Sequence, residues 1–187
     1  MKKYLLPSLK LTIALVLLLC VLYPLFISGV AKMAPGGGDG VTVKKNGKVV
    51  GYENIAQAFT DDKYFQPRPS AVSYNAAGSG GSNKGATNPE YLQTVQGRID
   101  SFMAHNPGVN KKDIPAEIVT ASGSGLDPDL SPEAAKIQVK RIAVLRQIPE
   151  GKLLELVNAH TQKPLLGVLG PEKVNVLKLN IALDEIK

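Results

Sequence analysis

LTIALVLLLCVLYPLFISGV, residues 11–30, decides the architecture. These twenty residues carry no charge. At the helical rise they span roughly 30 Å, the thickness of a bilayer's hydrocarbon core. Thr12, Ser28 and Gly29 are tolerated in such a helix, and Pro24, in its last third, disturbs it locally. Tyr4 and Tyr23 stand near the two ends, where an amphipathic ring favours the membrane–water boundary. A cleaved signal peptide is the competing reading, because Met1-Lys2-Lys3 resembles its basic start and residues 28–31 are small. Signal apolar regions run roughly 7–15 residues, however, and this one is longer and ends at Lys32 rather than at an A-x-A site. A retained anchor is the better reading. Lys2, Lys3 and Lys10 precede the segment and only Lys32 follows closely. The positive-inside rule then puts residues 1–10 in the cytoplasm. Residues 31–40 become a linker, and residues 41–187 an extracytoplasmic, periplasmic domain.

Charge supports this division. The net charge is +6, but Lys2, Lys3, Lys10 and Lys32 flank the apolar segment, and the remainder holds 18 basic and 16 acidic residues. A domain so nearly balanced, without a basic stripe interleaved with aromatics, is not built for nucleic acid. Cys20, the one cysteine, lies inside the apolar segment, so no intrachain disulfide forms. His105 and His160 are the two histidines, and zinc-ligand spacing is absent.

Patterning within the domain predicts an α+β fold. Lys45-Asn46-Gly47-Lys48 between Val41-Thr42-Val43 and Val49-Val50 is a hairpin signal, because Asn-Gly accepts positive φ at both positions. A short helix is expected over 53–59. FQPRPSAVSYNAAGSGGSNKGATNP, residues 65–89, cannot be regular structure, and a loop this long inside a compact domain is functional or disordered. Its Tyr, Arg and Asn side chains favour order. A helix follows, with Asn88 as N-cap, Pro89 and Glu90 in its first turn, and Leu92, Val95, Ile99, Phe102 and Met103 as its buried stripe. Asn106-Pro107-Gly108 stops it. Residues 118–120 read as a strand. A second helix runs from Ser131-Pro132 to about Gln147, burying Ala135, Val139, Ile142 and Ala143, with Lys136, Lys140 and Arg141 off that face. Residues 153–159 read as a third helix and 165–169 as a strand. The tail from Val174 suits either strand or helix, and its Leu-Asp-Glu-Ile end favours helix.

Chemistry is sparse. The Gly/Ser run lacks P-loop spacing, since Lys84 precedes Gly85, and a glycine turn packed on a neighbour is its plainer reading. Asp127 and Asp129 read as turn and capping groups rather than paired catalytic carboxylates, and His105 and His160 as C-terminal helix caps. No G-x-S-x-G elbow exists. No residue set supports an enzyme.

Three stretches carry a family resemblance: residues 65–89, ASGSGLDPDLSPEAAKIQVKRIAVLR (121–146) and GVLGPEKVNVLKLNIALDE (167–185). Together with the anchor they resemble the C subunit of the Kdp-type potassium-importing P-type ATPase. The resemblance implies a complex in the bacterial inner membrane with a catalytic P-type ATPase subunit, a potassium-channel-like subunit and a small single-helix subunit. This chain lacks the Asp-Lys-Thr-Gly-Thr phosphorylation motif, which agrees with a non-catalytic accessory role in assembly and stability. It implies no tightly bound cofactor, but one family account has the subunit raise the catalytic subunit's ATP affinity in a transient ternary complex. In that account the LS…Q stretch, here Leu130, Ser131 and Gln138, touches nucleotide. Gln138 read as an exposed helix residue is equally ordinary.

Loop 65–85 is the expected partner interface. Pro67 and Pro69 stiffen its entry, Gly78, Gly80 and Gly81 permit close backbone approach, and Arg68, Tyr74, Asn75 and Asn83 supply contacts, so that the domain covers the outer potassium entrance. The plainer reading pins Arg68 and Tyr74 to their own domain. The rival function is a secreted or anchored ligand-binding module using residues 78–85.

Overall fold

The computed structural model describes residues 2–186. The chain divides after Thr42 into two compact units.

The first unit is a helix in three registers: α1 (Lys2–Val16), a wider π turn over Leu17–Leu22, and α2 (Tyr23–Ala31). Pro24 explains the wide turn. It lacks an N–H and its ring crowds the carbonyl of Cys20, so the backbone takes up an extra residue just upstream. The 29 residues Lys3–Ala31 are long and apolar enough to cross a membrane. Past Ala31 the chain closes into a short 3₁₀ turn, Pro35–Gly38, in which Gly36 and Gly37 take φ of +80° and +65°.

In the second unit, β1 (Thr42–Lys45) and β2 (Lys48–Tyr52) form the expected hairpin, with Asn46 and Gly47 both at positive φ. The helix expected over 53–59 is absent. Residues 56–60 carry no regular structure because their partners are distant in sequence, as in the hydrogen bond from Ala56 N to Leu126 O (2.9 Å). Helix α3 (Pro89–His105) starts as predicted, with Asn88 Oδ1 accepting from Tyr91 N. Its stripe is narrower than predicted: Phe102 is buried, Val95 and Ile99 pack against the core, and Leu92 and Met103 are exposed.

The expected strand at 118–120 is instead the end of a single helical turn, α4 (Ala116–Val119), which still buries Ile118 and Val119. Pro115 sets this up by fixing the backbone at the N-cap, where the missing N–H costs nothing. The second helix is two: α5 (Pro132–Lys136), capped by Ser131, and α6 (Val139–Arg146). They part where Gln138 N bonds back only three residues, to Ala135 O. Helix α7 (Glu150–His160) is longer than expected.

Three very short strands, β3 (Asp129–Leu130), β4 (Thr161–Gln162) and β5 (Lys173–Asn175), make an antiparallel sheet ordered β3-β5-β4. Val174 faces Leu130 on one side and Thr161 on the other. The tail is both of its alternatives: strand β5, then helix α8 (Val176–Glu185), with Asn175 Oδ1 accepting from Lys178 N as the cap. Residues 165–169 are not a strand but a tight turn closed by one Leu165–Leu169 bridge. The core is one cluster, with Leu130, Ile142, Leu153, Val157, Val174, Leu179 and Leu183 fully buried, and Phe65 delivered into it by the irregular chain.

Candidate functional site

Residues 61–68, here called the strap, turn at 61–64, where Tyr64 N donates to Asp61 O (3.1 Å), continue without regular structure to Arg68, and are held by side chains rather than by a sheet. Asn180 on α8 brackets Phe65: its Oδ1 accepts from Phe65 N and its Nδ2 donates to Phe65 O, both at 2.9 Å. Gln138 does the same for Gln66, accepting from its N at 2.8 Å and donating to its O at 3.2 Å. Two amide side chains thus imitate a neighbouring strand along consecutive residues.

Arg141 completes the arrangement. Its Nε donates to Asn106 Oδ1, its Nη1 to Asp62 O and Oδ1, and its Nη2 to Tyr64 O and Gln138 Oε1, at 2.7 to 3.2 Å. That uses all five donors of a guanidinium. Burial pulls the Arg141 pKa below its ordinary value, and the Asp62 carboxylate opposes the shift. Asp62 also accepts from Gln66 Nε2 and pairs with His105 Nδ1 at 2.7 Å. His105 is therefore a strap contact, whereas His160, against Leu156 O, caps its helix as expected.

At the strap's other edge Asp184 accepts from Lys45, Arg146 and the Tyr64 hydroxyl. The Arg146 guanidinium lies 4.7 Å from the Tyr64 ring centre, a cation–π contact. Burial pushes the Asp184 carboxyl up, but the hydrogen bonds from Lys45 and Arg146 outweigh it and hold its pKa below the ordinary value. Lys63, Tyr64, Arg146, Lys152 and Asp184 line a cavity of about 480 Å³ here.

The glycine loop packs on its own domain, against residues 122–125. Gly80 N donates to Ser124 O (2.8 Å), and Ser70 Oγ donates to Gly125 O (2.6 Å). A Cβ on Gly125, at φ +67°, would stand 2.7 Å from Gly80 O, and one on Gly81 would stand 3.0 Å from Gly123 O. The close approach is glycine against glycine within one chain.

The predicted site residues are not brought together. Gln138, read from sequence as exposed, is completely buried. Its amide is spent on Gln66, Ala134 and Arg141. Ser131 caps α5 through Ala134 N. Arg68 pairs with Asp127 at 2.8 Å, and the Tyr74 hydroxyl donates to Arg68 O at 2.8 Å, so both side chains pin the loop internally. Gly80 and Gly81 lie in the glycine seam, and only Asn75 and Asn83 are exposed. Sequence reading missed Asp62, Asn106, Arg141 and Asn180, because a polar residue between helical apolar positions reads as solvent-facing. The one available signal was that Gln138 stands one helical turn after the apolar Ala134, which is fully buried.

Fold and site define a small α+β domain, behind one apolar helix of membrane-spanning length, in which the buried side-chain polar atoms among the described residues, Arg68 Nε apart, are paired. Comparison with known proteins takes this further. The family model KdpC, described as K+-transporting ATPase, c chain, matches residues 5–185, and the chain belongs to that family. The potassium-transporting ATPase KdpC subunit of Flavobacterium psychrophilum is 56% identical over 179 residues, covering 96% of each chain. That of Flavobacterium johnsoniae is 55% identical over 185 residues, covering 99% of this chain and 100% of its own. That of Caldanaerobacter subterraneus is 44% identical over 182 residues, covering 96% and 94%.

Proposed function

We propose that this chain is a non-catalytic accessory subunit of an ATP-driven potassium-uptake complex. The observation that carries the reading is the extent of the family match: residues 5–185 take in the apolar helix and the whole folded domain. Its partners are the catalytic P-type subunit, the channel-like subunit and the small single-helix subunit. It sits in the inner membrane with residues 1–10 cytoplasmic and residues 41–187 outside, where it supports assembly and covers the outer potassium entrance. Gln138 serves the domain's own fold in this reading rather than nucleotide, because its amide has no hydrogen-bonding capacity to spare. Any effect on ATP affinity is then transmitted through assembly.

A tagged full-length copy solubilised in mild detergent should bring down the other three subunits, and recovery of none of them ends the reading. Orientation is tested separately. With Cys20→Ser and Ser101→Cys, an impermeant thiol reagent should label intact spheroplasts, because Ser101 is exposed on α3. Labelling only after lysis would reverse the topology.

A further inference from the structure

The largest concentration of exposed apolar side chains in the second unit is the turn between β4 and β5. Leu165 is 69% exposed, Leu166 82%, Val168 80% and Leu169 58%. Nothing in the chain's own fold uses them. The turn is nonetheless built. Leu165 N donates to Leu169 O and Leu169 N to Leu165 O, at 3.0 and 2.9 Å, and Gly167 N donates to Pro164 O at 2.9 Å. The N–H groups of Leu165, Gly167, Val168 and Leu169 are therefore already paired within the turn and lose little when water is removed. Leu166 is held at φ +55°, a conformation a leucine adopts only when its surroundings impose it. We infer that this finger, residues 164–171, is the surface by which the domain docks into an apolar hollow on another chain of the potassium-transporting ATPase.

Two occupants compete, a protein and a lipid surface, and the charges and the fixed turn favour the protein. A loop that dips into anionic lipid carries a basic collar. Here Lys173 is already neutralised by Asp129 at 2.7 Å, and Glu172 stands beside it. Lys163 alone remains, exposed and without an acidic partner among the described residues, and suits a single carboxylate on the rim of a protein hollow. A fixed turn with a left-handed leucine suits a shaped receptor, while a fluid bilayer demands no shape. Loop 65–85 offers less apolar surface, and Arg68 and Tyr74 make contacts within their own domain.

This inference rests on the proposed membership of the complex, and the test separates the two. Full-length tagged protein is expressed with the other ATPase chains, as wild type and with Leu166→Ser plus Val168→Ser. The double variant should keep its melting temperature and protease resistance and lose at least tenfold in recovered partner chains. Wild type recovering no partner would overturn the complex reading, and this inference with it. Equal recovery by wild type and variant would overturn this inference alone. Should the double variant misfold, a photo-cross-linking amino acid in place of Val168 alone decides. An adduct with another ATPase chain upholds docking, and adducts with lipid, with a second copy of this chain or with nothing overturn it.

Discussion

Residues 61–68 and residues 164–171 are both short irregular segments marked by proline, and they are treated in opposite ways. The strap is largely polar, yet helices grip it through Gln138, Arg141 and Asn180, each nearly or wholly buried. The finger is largely aliphatic, yet it stands in solvent. Polarity alone therefore fails to sort buried from exposed here. Polar side chains such as Gln138, Arg141 and Asn180 can go inside when their hydrogen-bonding groups find partners. An apolar one stays outside when its turn closes on itself and no neighbour covers it. The strap belongs to the fold, and the finger is left over for something else.

The sharpest way to break the comparison is to unseat the strap. Arg141→Met keeps bulk but strands the oxygens of Asp62, Tyr64, Asn106 and Gln138 without their donor. Loss of a buried charged partner costs about 3–5 kcal/mol, to be read as a fall in melting temperature of the full-length protein in detergent. Arg141→Lys should rescue little, because one ammonium cannot reproduce the fork.

Gln138→Ala comes next. Losing its bracket on Gln66 should cost about 1–3 kcal/mol. In complexes that still assemble, the apparent KM for ATP should stay unchanged. A raised KM with normal stability would return Gln138 to a nucleotide role. Gly125→Ala tests the seam, where a side chain would meet Gly80 O and Val72, and the expected cost is again about 1–3 kcal/mol.

Asp184 gives a pH test. Its carboxyl is held below the unfolded value of about 3.9, so its contribution is complete above that pH. The contribution is lost as pH falls through the folded pKa. The stability gap between wild type and Asp184→Asn should thus be widest near about pH 6 and narrow towards about pH 3. A gap independent of pH would mean that the Lys45 and Arg146 contacts do not depend on the charge.

The smallest effect is expected at the finger tip. Leu166→Gly removes a left-handed leucine and a side chain that touches nothing in its own domain. Stability should be unchanged or raised by up to about 1 kcal/mol. A large loss would show the finger to be part of the core after all.

What could be read from the sequence follows the same division. The apolar helix, the Asn46-Gly47 turn, and the caps at Asn88 and Ser131 depend on neighbours within a few residues, and all were legible. Strands β3, β4 and β5 are two or three residues long, too short for any alternation to register. Ile118-Val119 looked like a strand because both are β-branched, but burial beneath α3 overrode propensity. Leu165 to Leu169 looked like a buried strand for its hydrophobicity alone. Gln138 and Arg141 looked solvated because their partners lie in a loop with no pattern of its own. Arg68 and Tyr74 were read on residue type as partner anchors or, more plainly, as groups that hold the loop to its own domain, and the internal contacts of the second reading are present.

The strap also bears on the order in which the protein is made. Gln66 waits for Gln138, 72 positions later, and Phe65 for Asn180, 115 positions later. A chain that emerges from its N-terminus has its apolar helix ready long before either amide exists. Contacts so distant along the chain form late. Until α8 is synthesised, Phe65 has no cavity to enter and its backbone no bracket. Helix α8 is therefore the element that closes the domain, and a chain ending before residue 180 would carry the apolar helix with no finished fold behind it.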